Sequence, residues 1–207
     1  MKLELNQEQI QKWRDDKGDE TRLLNFDFNE GSKILELGGY NGTWIRKMIN
    51  KYDPFVYLIE PVPAFYEKIY TEFGSNPKFK SLKVGIAEEE YEGLIYLDND
   101  STSMHTKGES QATVKFQTME SILDDFGIEG QIDLLQINIE GEEYRLLETM
   151  IERGTINRFN RIQVQFHMGI ENFEERRYKI QYDLVNNGFV NSFEYPYVWE
   201  GWVKKSN

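Results

Sequence analysis

From Lys33 onward the chain alternates short aliphatic runs with longer amphipathic ones, and this alternation constrains its fold more than any other feature. "KILEL" (33–37) reads as a buried strand and "TWIRKMINKY" (43–52) as a helix with Thr43 as its cap. "FVYLI" (55–59) is a second strand, followed by the helical "PAFYEKIYTEF" (63–73), where Pro63 suits a first turn. "SLKVGIA" (81–87) reads as a third strand. Residues 90–118 read as an insertion, with strand-like "GLIYL" and "TVKFQT" on either side of the polar loop "DNDSTSMHTKGESQA". A short helix, "MESILDDF", leads to a fourth strand, "IDLLQINI". The helical "GEEYRLLETMIERG" stops at Gly154, "RIQVQF" is a fifth strand, and "FEERRYKIQYDLVNNG" is a helix stopped by Gly188. The final "FVNSFEYPYVWEGWV" reads as two strands joined near Pro196, antiparallel because the connection is too short for a crossover. Such a succession predicts an α/β fold, a parallel sheet wound on both faces. Residues 1–30 are expected to be a mostly helical lead-in and residues 31–207 a single domain.

Composition narrows the function. The 36 acidic and 24 basic residues leave a formal charge of −12, which repels polyphosphate backbones and argues against nucleic-acid binding. The basic "RRYK" (176–179) is flanked by "ENFEE", and such charge runs read as solvated helix faces. The longest apolar run is the five residues Phe55 to Ile59, too short to span a membrane. The opening "MKLELNQEQIQKW" has no apolar core of signal-peptide length, and the chain contains no cysteine. Both fit a cytoplasmic protein, and the second excludes disulfides and thiolate metal sites.

In a parallel α/β sheet, ligands sit beyond the carboxyl ends of the strands. "KILELGGYNGTW" places Gly38, Gly39 and Gly42 at such an end. Glycines alone are explained equally well by a tight turn with no ligand. Two acids change the reading. Glu60, after the second strand, is placed to accept hydrogen bonds from both hydroxyls of a ribose. Glu36 precedes the glycines, where it would repel a pyrophosphate, and Tyr40 stands where a dinucleotide loop needs its middle glycine. A carboxylate there matches a cation better, such as the sulfonium and α-ammonium of S-adenosyl-L-methionine.

"ILELGGYNGTW" resembles the first motif of class I S-adenosylmethionine-dependent methyltransferases. "VYLIEPVPAFYEKI", "VKFQTMESIL" and "IDLLQINIEGEEYRLL" resemble, in order, later motifs of the FkbM-type O-methyltransferases. The resemblance spans roughly residues 33–170. It implies a Rossmann-like fold: a mostly parallel seven-stranded sheet with a C-terminal antiparallel hairpin. It also implies S-adenosyl-L-methionine as cofactor and a hydroxyl on a sugar or natural-product intermediate as acceptor. Glu36, Gly38, Gly39, Tyr40, Asn41 and Gly42 would hold the methionine part, Glu60 and Pro61 the ribose, and Ala87 and Glu88 the adenine. The chain departs from the family pattern where Gln136 replaces Lys, Asn138 replaces Asp, Glu120 replaces Asp and Tyr40 replaces Asn. Gln136 and Asn138 share one face of a strand, so a charged pair gives way to a neutral one that cannot act as a general base. A binding domain that keeps the fold without the chemistry is the alternative.

The residues expected to face the acceptor are Asn138, Glu140 and His167, with Glu143 a further base candidate. A histidine suits a base at neutral pH, although a structural His at a strand end reads equally well. The "EGEE" cluster (140–143) reads as a helix start whose acids complement the macrodipole, with only Glu140 turned to the site. His105, in the polar loop with Ser101, Thr102 and Ser103, belongs either to a closing lid or to an exposed connection. Two distant histidines give no metal-ligand spacing. Trp199 and Trp202 pack either internally or against a second subunit.

Overall fold

The computed structural model describes residues 2–97, 102–103 and 110–205. The lead-in forms α1 (Lys2–Asp15) and the one-turn α2 (Gly18–Thr21), then runs without regular structure to β1 (Lys33–Leu37). Next come α3 (Thr43–Tyr52), β2 (Phe55–Ile59), α4 (Pro63–Phe73) and β3 (Phe79–Leu82). The segment from 85 to 117 holds β4 (Gly85–Ile86), β5 (Tyr91–Leu97), β6 (Thr102–Ser103) and β7 (Ser110–Gln117). After α5 (Met119–Phe126) come β8 (Leu134–Ile137), α6 (Glu143–Glu152), β9 (Arg161–Val164), α7 (Phe173–Asn186), β10 (Phe189–Tyr195) and β11 (Trp199–Lys204). No helix among the described residues is long and apolar enough to cross a membrane.

The main sheet has seven strands in the order β10-β11-β9-β8-β1-β2-β3. Five of them are parallel, and β11 runs antiparallel to both β9 and β10. The chain builds outward from β1 to β3 on one side, then crosses back to lay β8 against the other side of β1. That reversal opens a crevice at the carboxyl ends of β1 and β8, where ligands of such sheets bind.

Strand alternation sorts the side chains onto two faces. Leu35, Leu37, Leu135 and Ile137 pack with α5, α6 and α7 in the larger core, whereas Ile34, Val56, Leu58 and Leu134 pack against α3, α4 and Leu24 of the lead-in. Glu36, Gln136 and Gln163 are register partners on three adjacent strands, so they form a polar row on the lead-in face. The lead-in is fastened across that face by side chains. Gln163 Nε2 donates to the Arg22 carbonyl (2.8 Å), Trp44 Nε1 to that of Leu23 (3.2 Å), and the Tyr52 hydroxyl to those of Leu24 and Phe26. On the other face a buried guanidinium, Arg177 of α7, pairs with Glu200 and Glu194 of the hairpin.

Two local expectations are corrected. "SLKVGIA" is not one strand: Phe79–Leu82 pairs with β2, whereas Gly85–Ile86 leaves for a second, four-stranded sheet ordered β4-β7-β5-β6. Thr43 does not cap its helix. Gly42, in the left-handed region (φ 74°), takes the cap position, and the Asn41 Oδ1 accepts from the Thr43 backbone N–H (3.1 Å). His105 and Ser101 lie outside the described residues.

Candidate functional site

At the switch point a cleft of about 240 Å³ opens between the sheet and the lead-in. Its floor and rim come from Glu36, Gly38, Gly39, Tyr40, Asn41, Gln136 and Asn138. Its other walls come from Asp19, Leu23 and Leu24 of the lead-in, from Thr43, Trp44 and Lys47 of α3, and from Trp199 of β11. Gly38 is required here by sterics as well as by its φ of 85°, since a Cβ would lie 2.1 Å from the Asn138 carbonyl oxygen. The two strand ends therefore approach as closely as backbone can.

The cleft floor is rich in acceptors that lack donors. Glu36 and Gln136 are each 3% exposed, yet Glu36 Oε2 and Gln136 Oε1 have no hydrogen-bond partner, and neither has the buried Asn138 Oδ1. An aliphatic side chain fully buried at either strand position would contribute about 1.5–3 kcal/mol, and an unmatched buried polar atom costs about 1–3 kcal/mol. The row thus works against stability and is suited to a donor or a cation entering the cleft. Burial, reinforced by the charge of Glu60, holds the Glu36 carboxyl well above its ordinary pKa. A positive group entering the cleft would favour the ionised form of this carboxyl.

Glu60 is placed otherwise than the ribose reading expects. It is 3% exposed and does not line the cleft. Its Oε1 accepts from the Val62 backbone N–H (2.8 Å) and its Oε2 from that of Tyr40 (2.8 Å), with a further backbone bond from Gly39. Burial outweighs these bonds and pushes its pKa up to about 7. Glu60 therefore ties down the glycine loop, and it helps hold Tyr40 in the left-handed region (φ 47°). The Tyr40 ring meets Phe65 of α4 edge-on at 4.7 Å. Pro61 and Ala87 are half-buried and Glu88 is engaged elsewhere; none of the three lines the cleft. Ala87 packs in the small core between α4 and the second sheet. Glu88 pairs with Arg145 at 3.4 Å and its carbonyl accepts from Arg153. The split of the third strand explains both displacements, because it carries residues 85–88 toward the second sheet.

Asn138 lines the cleft, whereas Glu140, Glu143 and His167 do not. His167 follows β9 and stands between two glutamates. Its Nδ1 lies 3.2 Å from Glu143 Oε1 and its Nε2 3.6 Å from Glu140 Oε2. Burial lowers the His167 pKa, but the hydrogen bond and charge of Glu143 and the charge of Glu140 outweigh it, leaving a net rise above 6.5. Glu143 stands in the first turn of α6, as the helix-start reading expects, but its side chain turns inward. It is fully buried and also accepts the backbone N–H groups of Gly141 (2.8 Å) and His167 (2.7 Å). This fixes a sharp turn in which Glu140 (φ 53°) and Gly141 (φ 111°) are both left-handed.

Sequence reasoning missed the cleft walls supplied by Asp19, Leu23, Trp44, Lys47 and Trp199. They come from three separate segments, and no local spacing links them. Trp202 is buried on the opposite face of β11 from the cleft, packed in the larger core.

The model of the methyltransferase FkbM domain matches residues 36–193, from the cleft acid into the hairpin. No curated protein matches the chain by sequence. Among solved structures, the chain is similar to methyltransferase FkbM from Methylobacillus flagellatus KT, with a TM-score of 0.55 and 12% identity over 86% of this chain and 44% of that one. It thus spans less than half the length of that protein. It is also similar to an rRNA methylase from Streptococcus thermophilus, with a TM-score of 0.51 and 10% identity over 86% and 90% of the two chains. At these identities the structural likenesses establish the fold alone. The family match covers most of the chain, and the chain belongs to the FkbM domain family of S-adenosylmethionine-dependent methyltransferases.

Proposed function

We propose that this protein transfers a methyl group from S-adenosyl-L-methionine to a hydroxyl of a small acceptor, a sugar or natural-product intermediate, in the cytoplasm. The observation that carries the reading is the pairing of a buried, donor-free acid, Glu36, with a carboxylate-flanked histidine at the same sheet edge. The residues fit the cofactor in part. Glu36, with Gln136 and the Gly38–Gly42 loop, would receive the α-ammonium end. Glu60 is buried against the loop backbone and supports the cleft from beneath the glycines. When bound, the cofactor supplies an electrophilic methyl carbon.

The chain's own residues would do the rest. Trp44, Trp199 and the lead-in wall the cleft. Asn138 orients the acceptor hydroxyl, and His167 Nε2 takes its proton as the oxygen attacks, a contribution of ~10²–10⁴-fold for a positioned base. Positioning of donor and acceptor supplies the larger share. The charge of −12 favours a small acceptor over RNA. A second reading, a cofactor-binding domain without turnover, is favoured by the engagement of Glu60 with backbone and by the neutral Gln136 and Asn138. Labelled-methyl transfer to a panel of glycosides and hydroxylated small molecules separates the two. A labelled product that disappears in His167→Ala supports transfer, whereas cofactor binding without any labelled product supports the second reading.

A further inference from the structure

We propose that Glu143 is a positioning residue that fixes the tautomer of His167, holding a proton on Nδ1 so that Nε2 presents a lone pair at the sheet edge. This rests on the reading of His167 as the base, but its test is separate. The argument is one of hydrogen-bond inventory. The carboxylate of Glu143 receives two backbone N–H groups, Gly141 on Oε2 and His167 on Oε1, and it is fully buried. A carboxylate held in this way is an acceptor only, so the ring nitrogen beside it must be the donor. That nitrogen is Nδ1, at 3.2 Å. A neutral imidazole with its proton on Nδ1 has none on Nε2.

The surroundings keep the ring in that pose. The Tyr144 hydroxyl donates to the His167 carbonyl at 2.8 Å, and Tyr144 is itself fully buried on α6, the helix that carries Glu143. Backbone and ring of His167 are thus both held by consecutive residues of one helix. On the far side, Nε2 is 3.6 Å from Glu140 Oε2, beyond hydrogen-bond length, and the Glu140 side chain is 41% exposed. An incoming hydroxyl can donate to Nε2 and pass its proton there as its oxygen bonds the methyl carbon; the bond from that carbon to the donor sulfur would break, the sulfur keeping the electron pair as a neutral thioether, and an imidazolium flanked by two carboxylates would remain. Glu140, open to solvent, then offers the proton a way out.

The test is ¹⁵N–¹H long-range NMR of the imidazoles in the full chain, with His105→Gln assigning the signals, since the chain has two histidines. Above the His167 pKa, the wild type is expected to show a protonated Nδ1 and a bare Nε2. Glu143→Gln, which retains one acceptor oxygen for the two backbone N–H groups, should lower the His167 pKa and mix the tautomers. Glu140→Gln should lower the pKa and leave the tautomer unchanged. A bare Nδ1 in the wild type, or a tautomer unaltered in folded Glu143→Gln, overturns the proposal. If Glu143→Gln does not fold, the wild-type tautomer alone decides. Failure of methyl transfer in the presence of the expected tautomer would count against the function and not against this assignment.

Discussion

Glu36 of β1 and Gln136 of β8 are register partners on adjacent parallel strands, and each holds a buried side-chain oxygen with no hydrogen-bond donor. Where the family pattern has a lysine, the partner here is an amide, and Glu36 is left available to a ligand.

Replacing the acid should show this directly. Glu36→Gln is expected to weaken S-adenosylmethionine binding by about ten- to a hundred-fold, the value of a charge-assisted hydrogen bond of ~1.5–3 kcal/mol. In the wild type, affinity should rise with pH, because the cation binds the ionised form of an acid whose pKa is raised. Glu36→Gln should bind with no such dependence. Calorimetry across pH 6 to about 9 checks both, and an equal slope in the two proteins counts against this role for Glu36.

Gly38→Ala should destabilise by about 3 kcal/mol or more, since the new Cβ meets the Asn138 carbonyl at 2.1 Å and the φ of 85° disfavours any side chain. By contrast, Gly130→Ala meets no atom within 4 Å and should pay only for its φ of 71°, about 1–2 kcal/mol. Urea denaturation of the pair measures the difference.

Stability should fall as pH rises from about 5 to 8. Glu60 has a folded pKa of about 7 against an ordinary 4.5, so the native state holds the proton more tightly. Protonated Glu60 carries no penalty below pH 4.5, and the penalty grows to about 3 kcal/mol once pH exceeds 7. His167, also raised, adds stability that is present below 6.5 and lost as pH passes its folded value. Glu60→Gln should flatten the acid side of this profile in thermal melts, and a wild-type optimum near pH 8 would contradict it.

Much of this molecule was legible in the sequence because its strands are buried on both faces and its helices end at glycines. "KILEL" and "FVYLI" begin and end as read, and Gly154 and Gly188 each follow a helix with positive φ. The third strand was not legible, because Val84 to Ala87 keeps the same apolar character whichever sheet it joins; pairing with Phe116 and Gln117, some thirty residues on, decides it. The acids show the same limit. Glu36 was readable from its place before the glycines. Whether Glu60 faces a ligand or the backbone depends on Tyr40 adopting φ 47°, a choice made by tertiary packing. Glu143 resembled any first-turn acid until β9 brought the backbone of His167 to it.

The most direct test is calorimetry of S-adenosylmethionine with the wild-type chain and with Glu36→Gln. The account predicts one site per chain in the wild type and about ten- to a hundred-fold weaker binding in the variant. Absence of binding by both S-adenosylmethionine and S-adenosylhomocysteine would contradict it.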